Sequence, residues 1–188
     1  MIPAYTPTYT GPKAYHLSPK KLAELGIRCV LTDLDSTLMP SHYNAQHPEH
    51  QATFAKALAW VQVLHQQGIE VCVISNNHHQ RYVEQTASLL SIPPERCVAK
   101  AAKPNPVPSH ALLQHYHAQG LTPTQFIMLG DRPMTDIGFA NALGILSVLV
   151  DPILAPEKGV VEREEPWPTR LVRGLERLLA SPTPSFNA

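Results

Sequence analysis

Five short apolar runs dominate the chain, at residues 27–33, 69–74, 97–99, 126–129 and 145–150. They are too short for ordinary helices and too continuous for a half-exposed sheet. Each therefore reads as a strand buried on both faces. The segments between them carry helical patterns. In residues 48–67, Phe54, Ala57, Leu58, Val61 and Leu64 fall on one stripe, and Gly68 ends the segment. Residues 81–90, 109–119 and 135–143 read as further helices, the last two closed by Gly120 and Gly144. Ahead of the first run, Ser18 and Pro19 open a shorter helix that Gly26 closes. Strands that alternate with helices imply an open parallel α/β sheet with helices on both faces. Ligands of such sheets bind beyond the carboxyl ends of the strands.

The remaining segments look different. Residues 1–17 are rich in turn formers and read as an extended N-terminal arm, leaving 18–155 as the core. Residues 156–188 divide into an acidic loop with Glu162, Glu164 and Glu165, an amphipathic helix over 169–179, and a loose tail. That helix sets Arg170, Arg173 and Arg177 apart from an apolar stripe. The pattern suits packing on the core or peripheral contact with an anionic membrane. Lys plus Arg equals Asp plus Glu, 15 against 15, so the net charge is zero, which argues against a protein working mainly through nucleic-acid phosphates. Cys29 and Cys72 lie within apolar runs, as buried thiols of a reducing compartment do. The longest apolar stretch, residues 142–150, is far short of the roughly 20 residues a membrane span needs. The first residues lack a secretory signal pattern, and the expected location is cytoplasmic.

Polar residues cluster where the runs end. The first run leads into Asp33-Leu34-Asp35-Ser36-Thr37 and the second into Ser75-Asn76-Asn77. Lys103-Pro104 follows the third, and the fourth leads into Gly130-Asp131 with Thr135-Asp136 close behind. In a parallel sheet these ends share one edge. Crowded carboxylates repel, and a hard dication such as Mg²⁺ relieves the repulsion. Asp33 is then free to attack phosphorus, with Lys103 spreading the charge on the phosphoryl oxygens. Asp35, two residues on, is placed to protonate the departing alkoxide and then to deprotonate the hydrolytic water. Thr37, with the backbone N–H groups of residues 34–37, Ser75 and Asn76 are the candidate phosphate cradle.

These four motifs, in this order, resemble those of the haloacid dehalogenase (HAD) superfamily of phosphohydrolases. The resemblance spans residues 27–150. It implies a Rossmann-like three-layer sandwich with a five-stranded parallel sheet in the order 5-4-1-2-3. It implies Asp33 as nucleophile, Asp35 as general acid and base, and Ser75 and Lys103 as phosphoryl ligands. It also implies Mg²⁺ held by Asp33, the Asp35 backbone carbonyl and Asp131, with Asp136 in or beside the metal shell. Finer detail resembles subfamily IIIA and its YqeG-like group. The carriers are Thr32 to Leu38, Ser75-Asn76-Asn77, Lys103-Pro104, the spacing from Asp131 to Thr135-Asp136, Leu17-Ser18-Pro19 and the basic C-terminal helix. Relatives in that group imply phosphatidylglycerophosphate, a lipid headgroup phosphate, as substrate.

Spacing independently argues against a cap domain. From Asp33 to Ser75 is 42 positions (75 − 33) and from Ser75 to Lys103 is 28 (103 − 75), each filled by the elements already named. An open site suits a phosphate presented by something large. The competing readings are a phosphatase of a protein or of a soluble phosphoester such as a nucleotide, and a non-catalytic scaffold. Asp35 argues against the scaffold, because a pure phosphate binder has no use for a proton donor. An EF-hand is excluded, since Leu38 stands where its glycine is required. A receiver domain would lack both the second Asp and the late Gly-Asp pair. His42, His47, His50, His78 and His79 show no zinc-ligand spacing with cysteines. His78 and His79 border the expected pocket with no assigned role.

Overall fold

The structure, a computed structural model, describes residues 5–153 and 183–187. The elements in chain order are β1 (Tyr9–Gly11), α1 (Pro19–Glu24), β2 (Cys29–Thr32), α2 (Pro48–Gln66), β3 (Glu70–Ile74), α3 (Gln80–Leu89), β4 (Cys97–Val98), α4 (His110–Ala118), β5 (Phe126–Gly130), α5 (Gly138–Leu143) and β6 (Leu146–Val150). The strands pair in the order β1-β6-β5-β2-β3-β4, and every pairing is parallel. The five expected strands keep their expected order, with β2 at the centre.

Period-two alternation sends neighbouring residues of each strand to opposite faces. Val30, Val71, Val73, Ile127, Leu129 and Val148 join one buried cluster with residues of α1, α2 and α3. Cys29, Leu31, Cys72, Ile74, Phe126 and Met128 join the other with residues of α4 and α5. The result is a three-layer sandwich, which is why the strands read as continuous apolar runs.

Local signals behave as their chemistry dictates. Ser18 caps α1 by accepting from the Lys21 amide at 3.2 Å, and Gly26 turns the chain with a φ of 74°. Trp60 on α2 donates its indole N–H to the Leu17 carbonyl at 2.9 Å and fixes α2 to the chain entering α1.

Two expectations need correction. The sheet has six strands, because part of the arm pairs with β6 as β1. All three residues of β1 are only half-buried. A short edge strand of this kind needs no apolar run, so periodicity does not reveal it. The tail, expected to be loose, is docked over residues 183–187. Ser185 bridges to Thr10, the Thr10 amide donates to the Pro184 carbonyl at 3.0 Å, and the Phe186 amide donates to the Thr10 carbonyl at 2.7 Å. The Phe186 ring is fully buried and meets Tyr9 edge-on, 5.4 Å between centroids. Burial of that single ring supplies the driving force, and one aromatic residue leaves no periodic trace. The expected acidic loop and the basic helix at 169–179 lie outside the described residues. Among the described residues, no helix is long and apolar enough to cross a membrane.

Candidate functional site

Strand register builds the site. Thr32 of β2 is level with Leu129 of β5, and the Asp33 amide continues the ladder by donating to the Leu129 carbonyl at 3.0 Å. Asp33 and Asp131 therefore leave adjacent strands at the same edge. Asp136 returns to that edge through a helical turn at Pro133–Ile137, where its Oδ2 accepts from the Arg132 amide at 3.0 Å. Oxygens of Asp33, Asp131 and Asp136 all lie within 4.8 Å of one another. Gly130 makes this possible. A Cβ at that position would lie 2.2 Å from Asp136 Cγ, so only glycine lets this carboxylate close over the strand end.

Lys103 enters the cluster from the loop after β4. Its Nζ lies 3.0 Å from Asp33 Oδ1 and 2.7 Å from Asp136 Oδ1, with the side chain 1% exposed. Burial favours the neutral amine, but the two carboxylates outweigh it and hold the Lys103 pKa above its ordinary value. Burial pushes Asp33 up to about 7; Lys103 opposes that rise, and Asp136 and Asp131 add to it. Three carboxylates thus gather in a largely buried volume, two of them against one ammonium. An all-oxygen donor set with excess negative charge fits a divalent cation. Among the described residues this is the one group of three such side chains close enough to share an ion.

The other predicted residues reach the same edge, though not always with the expected partner. The Ser75 side chain is buried at the end of β3, and its Oγ accepts from the Asn77 amide at 3.1 Å, leaving its own proton available. The Asn76 side chain, a candidate for phosphate, holds the backbone of Lys103. Its Oδ1 accepts from the Lys103 amide at 2.7 Å, and its Nδ2 donates to the Lys103 carbonyl at 3.2 Å. A side-chain amide matches both polar groups of one residue's backbone, so Asn76 serves the ammonium's placement. The Lys103-Pro104 peptide bond is cis.

Thr37 reaches the carboxylate cluster. Its buried hydroxyl donates to Asp131 Oδ1 at 3.2 Å. The amides of Ser36 and Thr37 close the loop internally, on Met39 and Leu34 carbonyls at 2.7 and 3.3 Å. Ser36 has a φ of 64°, so the chain turns sharply after Asp35 and those two amides are not left for a phosphate.

The Asp35 carboxylate lies outside the acidic cluster. Its Oδ1 accepts from Tyr82 OH at 2.7 Å and its Oδ2 from Asn77 Nδ2 at 3.1 Å. Sequence reasoning assigned Tyr82 no role, because a lone tyrosine on a helix has no motif around it. His78 and His79 are exposed beside this loop.

A model of the family described as mitochondrial PGP phosphatase matches residues 6–154. The Bacillus subtilis protein named "Probable phosphatase YqeG" is 26% identical over 163 residues, covering 87% of each chain. A chloroplastic and mitochondrial phosphatidylglycerophosphate phosphatase 1 of Arabidopsis thaliana is 43% identical over 60 residues, which span 32% of this chain and 15% of that protein. The cobalt-bound deoxy-D-mannose-octulosonate 8-phosphate phosphatase of Haemophilus influenzae superposes with a TM-score of 0.45 at 19% identity, covering 70% of this chain and 81% of that one.

Proposed function

Because this chain belongs to the mitochondrial PGP phosphatase family, we propose that it hydrolyses the phosphomonoester of phosphatidylglycerophosphate, with Mg²⁺ as its cation and Asp33 as its nucleophile. The family makes the chain a phosphatase of the HAD superfamily, acting on a phosphorylated substrate. The observation that carries the mechanism is the gathering of Asp33, Asp131, Asp136 and Lys103 at one sheet edge.

In the proposed reaction an oxygen of Asp33 bonds to phosphorus as the ester P–O bond breaks. The departing alkoxide takes the proton of the Asp35 carboxyl group. Asp35, now a carboxylate, removes a proton from a water that attacks the phosphorus of phospho-Asp33. The P–O bond to Asp33 breaks, phosphate leaves, and both aspartates return to their starting states. Lys103 holds Asp33 in place and neutralises charge gathering on the phosphoryl oxygens. Ser75 donates its hydroxyl proton to one of them. Thr37 orients Asp131, and Asn76 orients Lys103. Asp33, Asp131, Asp136 and the Asp35 carbonyl would hold the cation, which supplies charge neutralisation at the transferring group.

The lipid substrate is supported by the family and by the 43% identity to the Arabidopsis enzyme over 60 residues. The lack of an inserted cap agrees with it. Between Asp33 and Ser75 stand a loop, α2 and β3, and between Ser75 and Lys103 stand α3 and β4, so no cap domain is inserted there. Purified protein with Mg²⁺ is expected to release phosphate from an aryl phosphate, and chelation or D33N to abolish release. Given phosphatidylglycerophosphate in mixed micelles beside nucleotides and phosphopeptides, it is expected to prefer the lipid. Preference for a soluble ester would remove the lipid assignment, and full activity of D33N would remove the mechanism.

A further inference from the structure

As general acid and base, Asp35 has an exacting task. One carboxyl group must meet the leaving oxygen in the first half-reaction and a water in the second. Such a group works only if its plane is held still. The sharp turn at Ser36 gives it no help from a continuing strand. Both of its oxygens are instead held from the opposite wall, by Tyr82 at 2.7 Å and Asn77 at 3.1 Å.

Both donors are themselves anchored. Asn77 donates its amide to Ser75 Oγ, accepts from the His79 amide at 2.9 Å through Oδ1, and accepts from the Lys100 amide at 2.9 Å through its carbonyl. Tyr82 sits on the first turns of α3, its ring packed against the core cluster. Its hydroxyl donates to Asp35 Oδ1.

We propose that Tyr82 is a positioning residue for this phosphatase: its hydroxyl, with Asn77 on the second oxygen, fixes the Asp35 carboxyl plane for proton delivery to the leaving group. The inference rests on Asp35 acting as the general acid. It assigns a function to α3 that no short motif contains, and it makes the loop after β3 serve two tasks. Ser75 faces the phosphoryl group, while Asn77 and Tyr82 secure the acid.

The leaving group supplies the test. An aryl oxygen departs as a stable anion and needs little protonation, whereas an alkyl oxygen needs it fully. The quantity to compare is kcat/KM, which stops at the first irreversible step and so isolates leaving-group departure. Tyr82→Phe is expected to lower kcat/KM for a simple alkyl phosphate about ten-fold, the scale of one hydrogen bond to a charged group. For nitrophenyl phosphate the expected loss is about two-fold or less. In a D35N background, adding Y82F is expected to change neither value. Asn77→Ala removes the other donor and should reproduce the split, which keeps the proposal testable if Y82F does not fold. Equal losses on both esters, or no loss on either, in a variant that melts like wild type would overturn it while leaving the phosphatase reading intact. Full activity of D33N would instead bring down that reading and this proposal with it.

Discussion

Replacing Lys103 by methionine keeps most of the side-chain volume and deletes the one ammonium among three carboxylates. The contacts of 3.0 and 2.7 Å set the scale. At an effective dielectric constant of about 20 they correspond to roughly 5.5 and 6 kcal/mol of gross attraction. Several kcal/mol of this is offset by the cost of burying the ammonium, so the net loss expected on breaking the group is about 3–5 kcal/mol. The loss depends on pH, and its sign follows from Asp33. The pKa of this carboxyl is about 7 in the folded chain against an ordinary 3.8. A raised carboxyl pKa favours the folded state fully at pH values below the ordinary one. That benefit drains away as pH climbs toward 7. Without Lys103 the carboxylates hold protons still more tightly. The K103M penalty should therefore be small near about pH 5, where protons replace the missing cation, and largest near about pH 8. Urea denaturation in the presence of a chelator measures it, and added Mg²⁺ should recover part of the loss at the higher pH. A K103M midpoint equal to wild type at about pH 8, or a loss that does not vary with pH, would refute the electrostatic account.

Three further outcomes follow from the same geometry. Gly130→Ala places a carbon 2.2 Å from Asp136 Cγ, so it should cost about 1–3 kcal/mol and abolish phosphate release, read by thermal melting and a phosphate assay. Phe186→Ala empties a fully buried ring site on the sheet edge; a loss of about 3 kcal/mol in denaturant titration is expected, with faster hydrogen exchange at the Thr10 and Phe186 amides. The wild-type chain under chelation should lose stability as pH rises from about 4 to about 7, and excess Mg²⁺ should flatten that slope; a slope insensitive to the cation would separate Asp33 from the proposed site.

The positions of Asp33, Ser75 and Asp131 were legible because each directly follows or closes a buried strand, and parallel topology puts all such ends at one edge. Lys103 and Asp136 were legible by motif spacing alone. The partners of Asn76 and Thr37 were not. Both side chains have several possible acceptors and donors, and the choice was made by the backbone of Lys103 and the carboxylate of Asp131 arriving from elsewhere. Tyr82 was invisible for a related reason. It lies 47 positions from Asp35 in sequence and touches it only because α3 packs beside the loop after β2. The edge strand β1 and the docked tail escaped because pairing with an exposed ladder requires free backbone groups rather than an apolar pattern.

By itself the order of residues determined the parallel sandwich and the carboxylate-rich rim, since hydrophobic burial acts on patterns that any chain displays openly, while the strand order came from the family resemblance. Tertiary structure alone decided which side chain holds which: that Asn76 grips Lys103, that Thr37 serves Asp131, that Tyr82 secures Asp35, and that Phe186 seals the sheet edge. Hydrogen bonds and ring contacts act over a few ångströms, and that proximity between distant residues exists only once the chain has folded.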